Sequence, residues 1–383
     1  MWLVEDFNSL PPLTFLTRLW IVKTIWSRED IVYCMDECYF IPNTEGEAQK
    51  WIPIRNLVNT IIRLSDSFPD VCVPGIKRIN NVIFDHIRKM ITTRPISPEI
   101  TGFPVNHWTL HGTVDVKKTE ELLVLDDRKN LEWRYGLASH NCFILHITAL
   151  FDELSRLDRE RLLAQKSPID QLMVYWTHKL EGRSDSIAPY FTSLLERSAY
   201  SIDQYALAFS MKNGSRSGIQ YFLNHLQPDE WRVVVQGDID ILINALYSTS
   251  SAYPPYPPPV EHYVDCLYYV LSKMDESHRM TFLRRNAFRV LKVFLVYPFY
   301  GLFLKYVNRL KDALADCHFY LFLDEILRLE LVETDFYGYE VFRWVWINCP
   351  DHEKKRLTSY LKKRKDPNYE RMRKRIESIW TSN

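Results

Sequence analysis

Cys34 and Cys38 stand four residues apart, a spacing that sets both on one face of a helix, and His107 and His111 repeat it further along. Two thiolates and two imidazoles could complete a tetrahedral zinc site. With 68 residues between the pairs, however, the set is far from a compact finger, and packed cysteines with ordinary polar histidines is the reading adopted. No metal or other cofactor is expected. Ser139, His140 and Cys142 in "ASHNCFILH" invite a nucleophile-and-base reading. Near neighbours along a chain do not face one another, and no glycine turn accompanies them to hold an oxyanion, so no catalytic residue is assigned. Asp126-Asp127 and Asp238-Asp240 could do acid–base work, but each pair sits beside an apolar run and is read as capping a helix start. "GSRSG" at 214–218 lacks the lysine and hydroxyl residue of a phosphate loop. The chain is therefore expected not to be an enzyme; an enzyme or zinc protein assembled from the distant Cys and His residues is the alternative.

Two stretches suit binding better than catalysis. "YPPYPPP", Tyr253 to Pro259, holds five prolines in seven residues. Proline fixes φ and lacks a donor, so the stretch forms an extended rod. Tyr253, Pro255, Tyr256 and Pro258 are its candidate partner-binding residues, for aromatic-lined grooves that take pre-ordered ligands; a stiff connector explains the same residues. Segment 351–383 carries eleven Lys and Arg against five Asp and Glu, a net of about +6. Its clusters are Lys362, Lys363, Arg364 and Lys365, then Arg373, Lys374 and Arg375. They could meet an import receptor, phosphates or the chain's own acidic body. A solvated last helix is the plain reading; nucleic acid is not the expected partner, and this end is where the chain could bind it.

The elements that must position these residues are helices. Glycine is scarce, at 11 of 383 residues, where average usage would give roughly 27. Aromatics reach 14%, so the core must be filled with large rings. Basic and acidic residues balance at 48 each, which excludes a surface that is wholly a polyanion or membrane footprint. The seven scattered cysteines fit a reducing compartment. Acids near the start and charges within Leu13–Trp26 argue against a signal peptide or membrane span. An intracellular chain, cytoplasmic or nuclear, is expected.

Apolar spacing predicts two helices over 13–42, divided at Ser27-Arg28-Glu29-Asp30, and further helices over 51–64 and 76–92. Three prolines and two glycines in 93–118 predict an irregular segment there, with a short strand pair permitted between Trp108 and Val116. Beyond residue 137, helix-closing anchors recur at Leu154, Leu195, Leu226, Leu271, Leu310 and Ile347, in steps averaging about 39 residues. Four junctions share a phrase: "LSRLDRER", "LQPDEWR", "LSKMDESHR" and "INCPDHEKKR". Each closes one helix and opens the next, with an aspartate suited to the free N–H groups of a helix start.

In 205–226, Ala206, Leu207 and Ala208 precede Asn213-Gly214, and Ile219, Phe222 and Leu223 follow. This stretch resembles an ankyrin helix pair, without the Thr-Pro-Leu-His opening, and the C-terminal half is similar to uncharacterised ankyrin-like helical-repeat proteins. The resemblance implies a scaffold that binds a protein partner. The expected fold is all-α, an α-solenoid of ankyrin-like helix pairs. Its expected parts are an N-terminal helical region (1–110), an irregular connector (111–136), a helical-repeat array (137–350) and a basic C-terminal helix or tail (351–383).

Overall fold

The computed structural model describes residues 13–39, 47–64, 73, 75–77, 79–81, 83–84, 109, 115–164, 171–195, 200–244, 260–296, 299–330 and 338–363. Among them the regular elements are all helices, with no strand. None is long and apolar enough to cross a membrane.

The first three helices are α1 (Leu13–Trp26), α2 (Glu29–Tyr39) and α3 (Glu47–Leu64). The break between α1 and α2 falls at the predicted start signal, where Arg28 pairs with Asp30 at 2.9 Å. Val22, Trp26, Ile31, Val58 and Ile62 bury completely and, with Ile76, Ile83 and Phe84, form a core of their own. A polar pin runs through it. The Trp26 Nε1–H donates to Asn80 Oδ1 at 2.8 Å, and Asn80 Nδ2 donates to Asn59 Oδ1 at 3.3 Å. Burying an indole N–H without such a partner would cost about 1–3 kcal/mol.

A second, larger core runs from Leu123 to Leu357. It is built by α4 (Val116–Leu125), α5 (Leu131–Asn141), α6 (Ile144–Glu153), α7 (Arg156–Ala164), α8 (Gln171–Leu180), α9 (Ser184–Leu195) and α10 (Ile202–Lys212). There follow α11 (Arg216–His225), α12 (Pro228–Asn244), α13 (Val260–Lys273), α14 (Glu276–Arg285), α15 (Ala287–Val293) and α16 (Tyr300–Leu310). After a 3-10 turn come α17 (Asp316–Glu330), α18 (Gly338–Asn348) and α19 (Asp351–Lys363). Helix packing advances along the chain: α5 on α8, α8 on α10, α10 on α12, α12 on α15 and α15 on α17.

At the middle lies α10, with every residue from Gln204 to Met211 buried. A helix apolar on all sides must be enclosed on all sides. Ala206, Ala208 and Ser210 keep its girth small, so that α8, α9, α11 and α12 can all pack against it. Ser201 starts it with a reciprocal capping box to Gln204. Gly214 then turns the chain at φ 61°, a left-handed conformation that glycine adopts without a Cβ clash. Ser215 caps α11, its Oγ accepting the Gly218 N–H at 3.1 Å and donating to the His140 carbonyl at 2.6 Å. The 205–226 stretch is thus two successive helices, turned at Gly214 and packed on one another within the larger core.

All four shared phrases fall at helix junctions, α6/α7, α11/α12, α13/α14 and α18/α19. Capping follows the expectation in part. Asp275 is an N-cap, accepting the His278 N–H at 3.0 Å. In the first phrase the cap is Ser155, which accepts the Asp158 N–H at 3.1 Å, and in the second Glu230 reaches back to the Gln227 N–H at 2.8 Å. Two arginines from these phrases serve the preceding helix instead: Arg159 donates to the Leu154 and Asp152 carbonyls, both at 3.2 Å, and Arg279 to the Leu271 carbonyl at 3.5 Å. Each satisfies carbonyls that a helix end leaves without an intrahelical partner.

The connector expected at 111–136 is corrected by the structure, for α4 and the start of α5 occupy most of it. Asp115 caps α4 by accepting the Lys118 N–H at 3.2 Å, and Leu123 and Val124 join the core. The prolines and glycines behind the irregular reading all precede Val116 in sequence and lie outside the described residues. At the other end, α19 is docked, with Leu357 buried and the helix packed on α17.

Candidate functional site

Among the described residues, those first considered for chemistry are not brought together as a site. Cys34 is half-buried on α2, the Cys38 side chain and both His107 and His111 lie outside the described residues, and no metal-ligating cluster occurs among those described. Ser139 and His140 are in the last turn of α5, and Cys142 is its C-cap in the left-handed region at φ 51°. Burial pushes the Cys142 thiol up to about 12, so it stays protonated at neutral pH and is no nucleophile.

The aspartate pairs are also placed differently from expectation. Asp126 ends α4 rather than starting a helix, and Arg128, bonded at 2.8 Å, holds its carboxyl below the usual range. Asp238 and Asp240 lie deep within α12, because the apolar run beside them continues a helix already open at Pro228. There the buried Asp238 accepts the Tyr200 hydroxyl at 3.0 Å, and Asp240 faces Arg289 at 3.5 Å. Tyr253, Pro255, Tyr256 and Pro258, and Arg364, Lys365, Arg373, Lys374 and Arg375, lie outside the described residues. Lys362 and Lys363 end α19.

One polar cluster escaped the sequence reading. Tyr175 on α8 donates its hydroxyl to Asp203 on α10 at 2.6 Å, and Lys179 donates to both, at 2.6 and 3.1 Å. Burial, then the bond to Asp203, raises the phenol above its ordinary value. A phenol held protonated between a carboxylate and an ammonium is a clasp between two helices rather than a base. The Tyr-x-x-x-Lys spacing was visible; its aspartate partner, 28 residues away, was not.

A groove of about 390 Å³ lies between α12 and α14. Along α12, Trp231, Val235 and Ile239 recur every fourth residue and so present one apolar stripe. Phe282 from α14 and Met274 from the α13/α14 junction complete the apolar lining. Around it stand Arg232, Asp240, Asp275, His278 and Arg285, with Gln236 and Thr281 exposed along the walls. The rim is largely self-paired. Arg232 meets Asp229 at 3.2 Å, and His278 meets Asp275 at 2.6 Å. The backbone N–H of His278, then its imidazole, hold the Asp275 carboxyl below its ordinary value. Sequence had marked Trp231, Arg232, Asp275 and His278 as parts of two helix-opening phrases, without any sign that the two helices face one another.

No protein family, curated protein or solved structure matches the chain.

Proposed function

We propose that the chain is a non-enzymatic helical scaffold that binds another protein, with the α12/α14 groove as the seat. The observation that carries this reading is the make-up of the groove, an apolar floor inside a rim of charged side chains, the anatomy of a protein-binding patch with a dry centre and polar edge. An array of ankyrin-like helix pairs is the architecture that goes with it. It is supported by the progression of helix packing from α5 to α17 and by the recurrence of the junction phrases, two of which line the groove. Stacked units of this kind bury a shared core and keep a long surface for recognition.

The test is capture of partners by the full chain, wild type against Gln236→Trp. Gln236 is exposed on the groove wall, so an indole there fills the groove while leaving the core intact. Partners held by the wild type and lost with the variant support the reading. An unchanged set of partners removes the groove as the seat.

A further inference from the structure

We propose that the groove selects a short acidic peptide segment bearing one large apolar anchor residue. This rests on the groove's being the partner's seat, and charge decides the chemistry of the occupant. Both acids on the rim are engaged, Asp240 with Arg289 at 3.5 Å and Asp275 with His278 at 2.6 Å, and Arg232 is met by Asp229. Arg285 lines the groove, is exposed, and makes no hydrogen bond or ion pair among the described residues; its neighbour Arg284, which does not line the groove, is exposed and likewise unpaired among them. The uncommitted charge at the α14 end is therefore positive. A guanidinium presents a planar fork that a carboxylate meets with two parallel hydrogen bonds, which makes Arg285 a selector of Asp or Glu.

The floor sets the second requirement. A volume of about 390 Å³ sits near the lower end of ligand-sized pockets. It holds one or two large side chains rather than the whole face of a helix. Trp231 and Phe282 offer ring surfaces to a Leu, Phe or Trp anchor, the residue class that dominates binding when set in a dry pocket. One or two free arginines beside an apolar floor do not make a nucleic-acid track, which needs a row of phosphate contacts.

The experiment uses full-length protein and labelled peptides of about eight residues, which reach about 26 Å when extended. Each carries one central Phe or Leu flanked by Glu, by Gln or by Lys, and binding is read by fluorescence anisotropy. The Glu peptides are expected to bind at least about tenfold more tightly than the Gln peptides, with the advantage shrinking as salt rises. Arg285→Glu is expected to remove that advantage and favour the Lys peptides, and Gln236→Trp to abolish binding of all three. Equal affinity for Glu and Gln peptides, or Arg285→Glu binding like wild type while Gln236→Trp does not bind, overturns the acidic selection and keeps the groove as the seat. Failure of every peptide to bind, or full affinity in Gln236→Trp, overturns the seat as well. Sedimentation showing a dimer that Gln236→Trp dissociates would give the groove to a second copy and likewise overturn the proposal. Circular dichroism and urea midpoints matching wild type establish that both variants are folded.

Discussion

Replacing Gly218 by alanine probes a close approach in the larger core. A Cβ at this position would stand 2.7 Å from Ser210 Oγ, 2.9 Å from Ser215 Oγ and 3.1 Å from Ser210 Cβ. Neither hydroxyl is at liberty to move. Ser210 Oγ donates to the Ala206 carbonyl at 2.8 Å, and Ser215 Oγ both caps α11 and reaches the His140 carbonyl. Against these clashes stands the better helix propensity of alanine, worth at most about 1 kcal/mol. Forcing a methyl into a packed core costs about 1–3 kcal/mol, and disturbing a serine cap about a further 1. The net expectation is destabilisation of about 1–3 kcal/mol, measured by urea unfolding followed through tryptophan fluorescence. Because two separate cores are present, the transition is fitted for the larger one alone. Ser210→Ala removes the nearest atom, so the double variant should recover about 1 kcal/mol of the loss, a coupling a cycle can resolve. Recovery is partial, since Ser210 Cβ stays in place. A Gly218→Ala protein as stable as wild type would show that α10 and α11 are not so closely packed, and the account of why this pair needs a glycine would fail.

Asn80→Ala should cost about 1–3 kcal/mol in the smaller core by leaving the Trp26 indole N–H without its acceptor, and the loss should appear as early unfolding of residues 19–84 in hydrogen exchange. Alkylation of the native protein should label exposed Cys317 well before Cys142 and Cys266, whose thiols burial raises; mass spectrometry of a brief iodoacetamide pulse decides it. His318 should titrate below its ordinary value of 6.5, because burial disfavours the imidazolium. Its Nδ1 accepts the Ala315 N–H at 3.0 Å and its ring stacks on Phe288 at 4.2 Å, both needing or tolerating the neutral form. Folded chain thus binds fewer protons than unfolded, so this contribution is complete above pH 6.5 and is lost as pH falls through the lowered value. Chemical-shift titration of His318 and urea midpoints across that window measure it, and a midpoint that rises on acidification would contradict the assignment.

Much of the helix layout was legible because it depends on short-range rules. The division of α1 from α2, the turn at Asn213-Gly214 and the four junction phrases are each encoded within a few residues, where spacing and capping chemistry decide the outcome. The anchors Leu154, Leu226, Leu271 and Leu310 are buried near helix ends as their rhythm implied, whereas Ile347 is 49% exposed, since period alone does not say which face of a helix meets a neighbour. The aspartates of α12 misled for a related reason. An acid beside an apolar run looks the same at a helix start and in the middle of a long helix, and only the Pro228 start upstream separates the two. The groove was not legible at all. Its walls lie some 45 residues apart, and pairing across that distance is set by how α13 and α15 pack on α12.

That packing has a local cause. Asn286 ends α14 and begins α15 at φ −115° and ψ 23°, outside helical geometry, with its side chain turned back to the Phe282 carbonyl at 3.2 Å. The break redirects one helical path into two. Helix α15 buries Val290 and Leu291 in the core and packs on α12, whereas α14, before the break, stands off across the groove. An unbroken helix from Glu276 to Val293 could not do both, since a helix bends sharply only where its hydrogen-bond ladder is interrupted. The Asn286 side chain competes for backbone groups in the way that makes asparagine a poor helix interior and a good boundary. One residue chosen for its capping chemistry thereby opens the concavity, and Arg289, three positions on, ties the break down by reaching both Asn286 and Asp240 on the facing wall. The shape of the groove is thus fixed by a helix boundary rather than by the residues that line it.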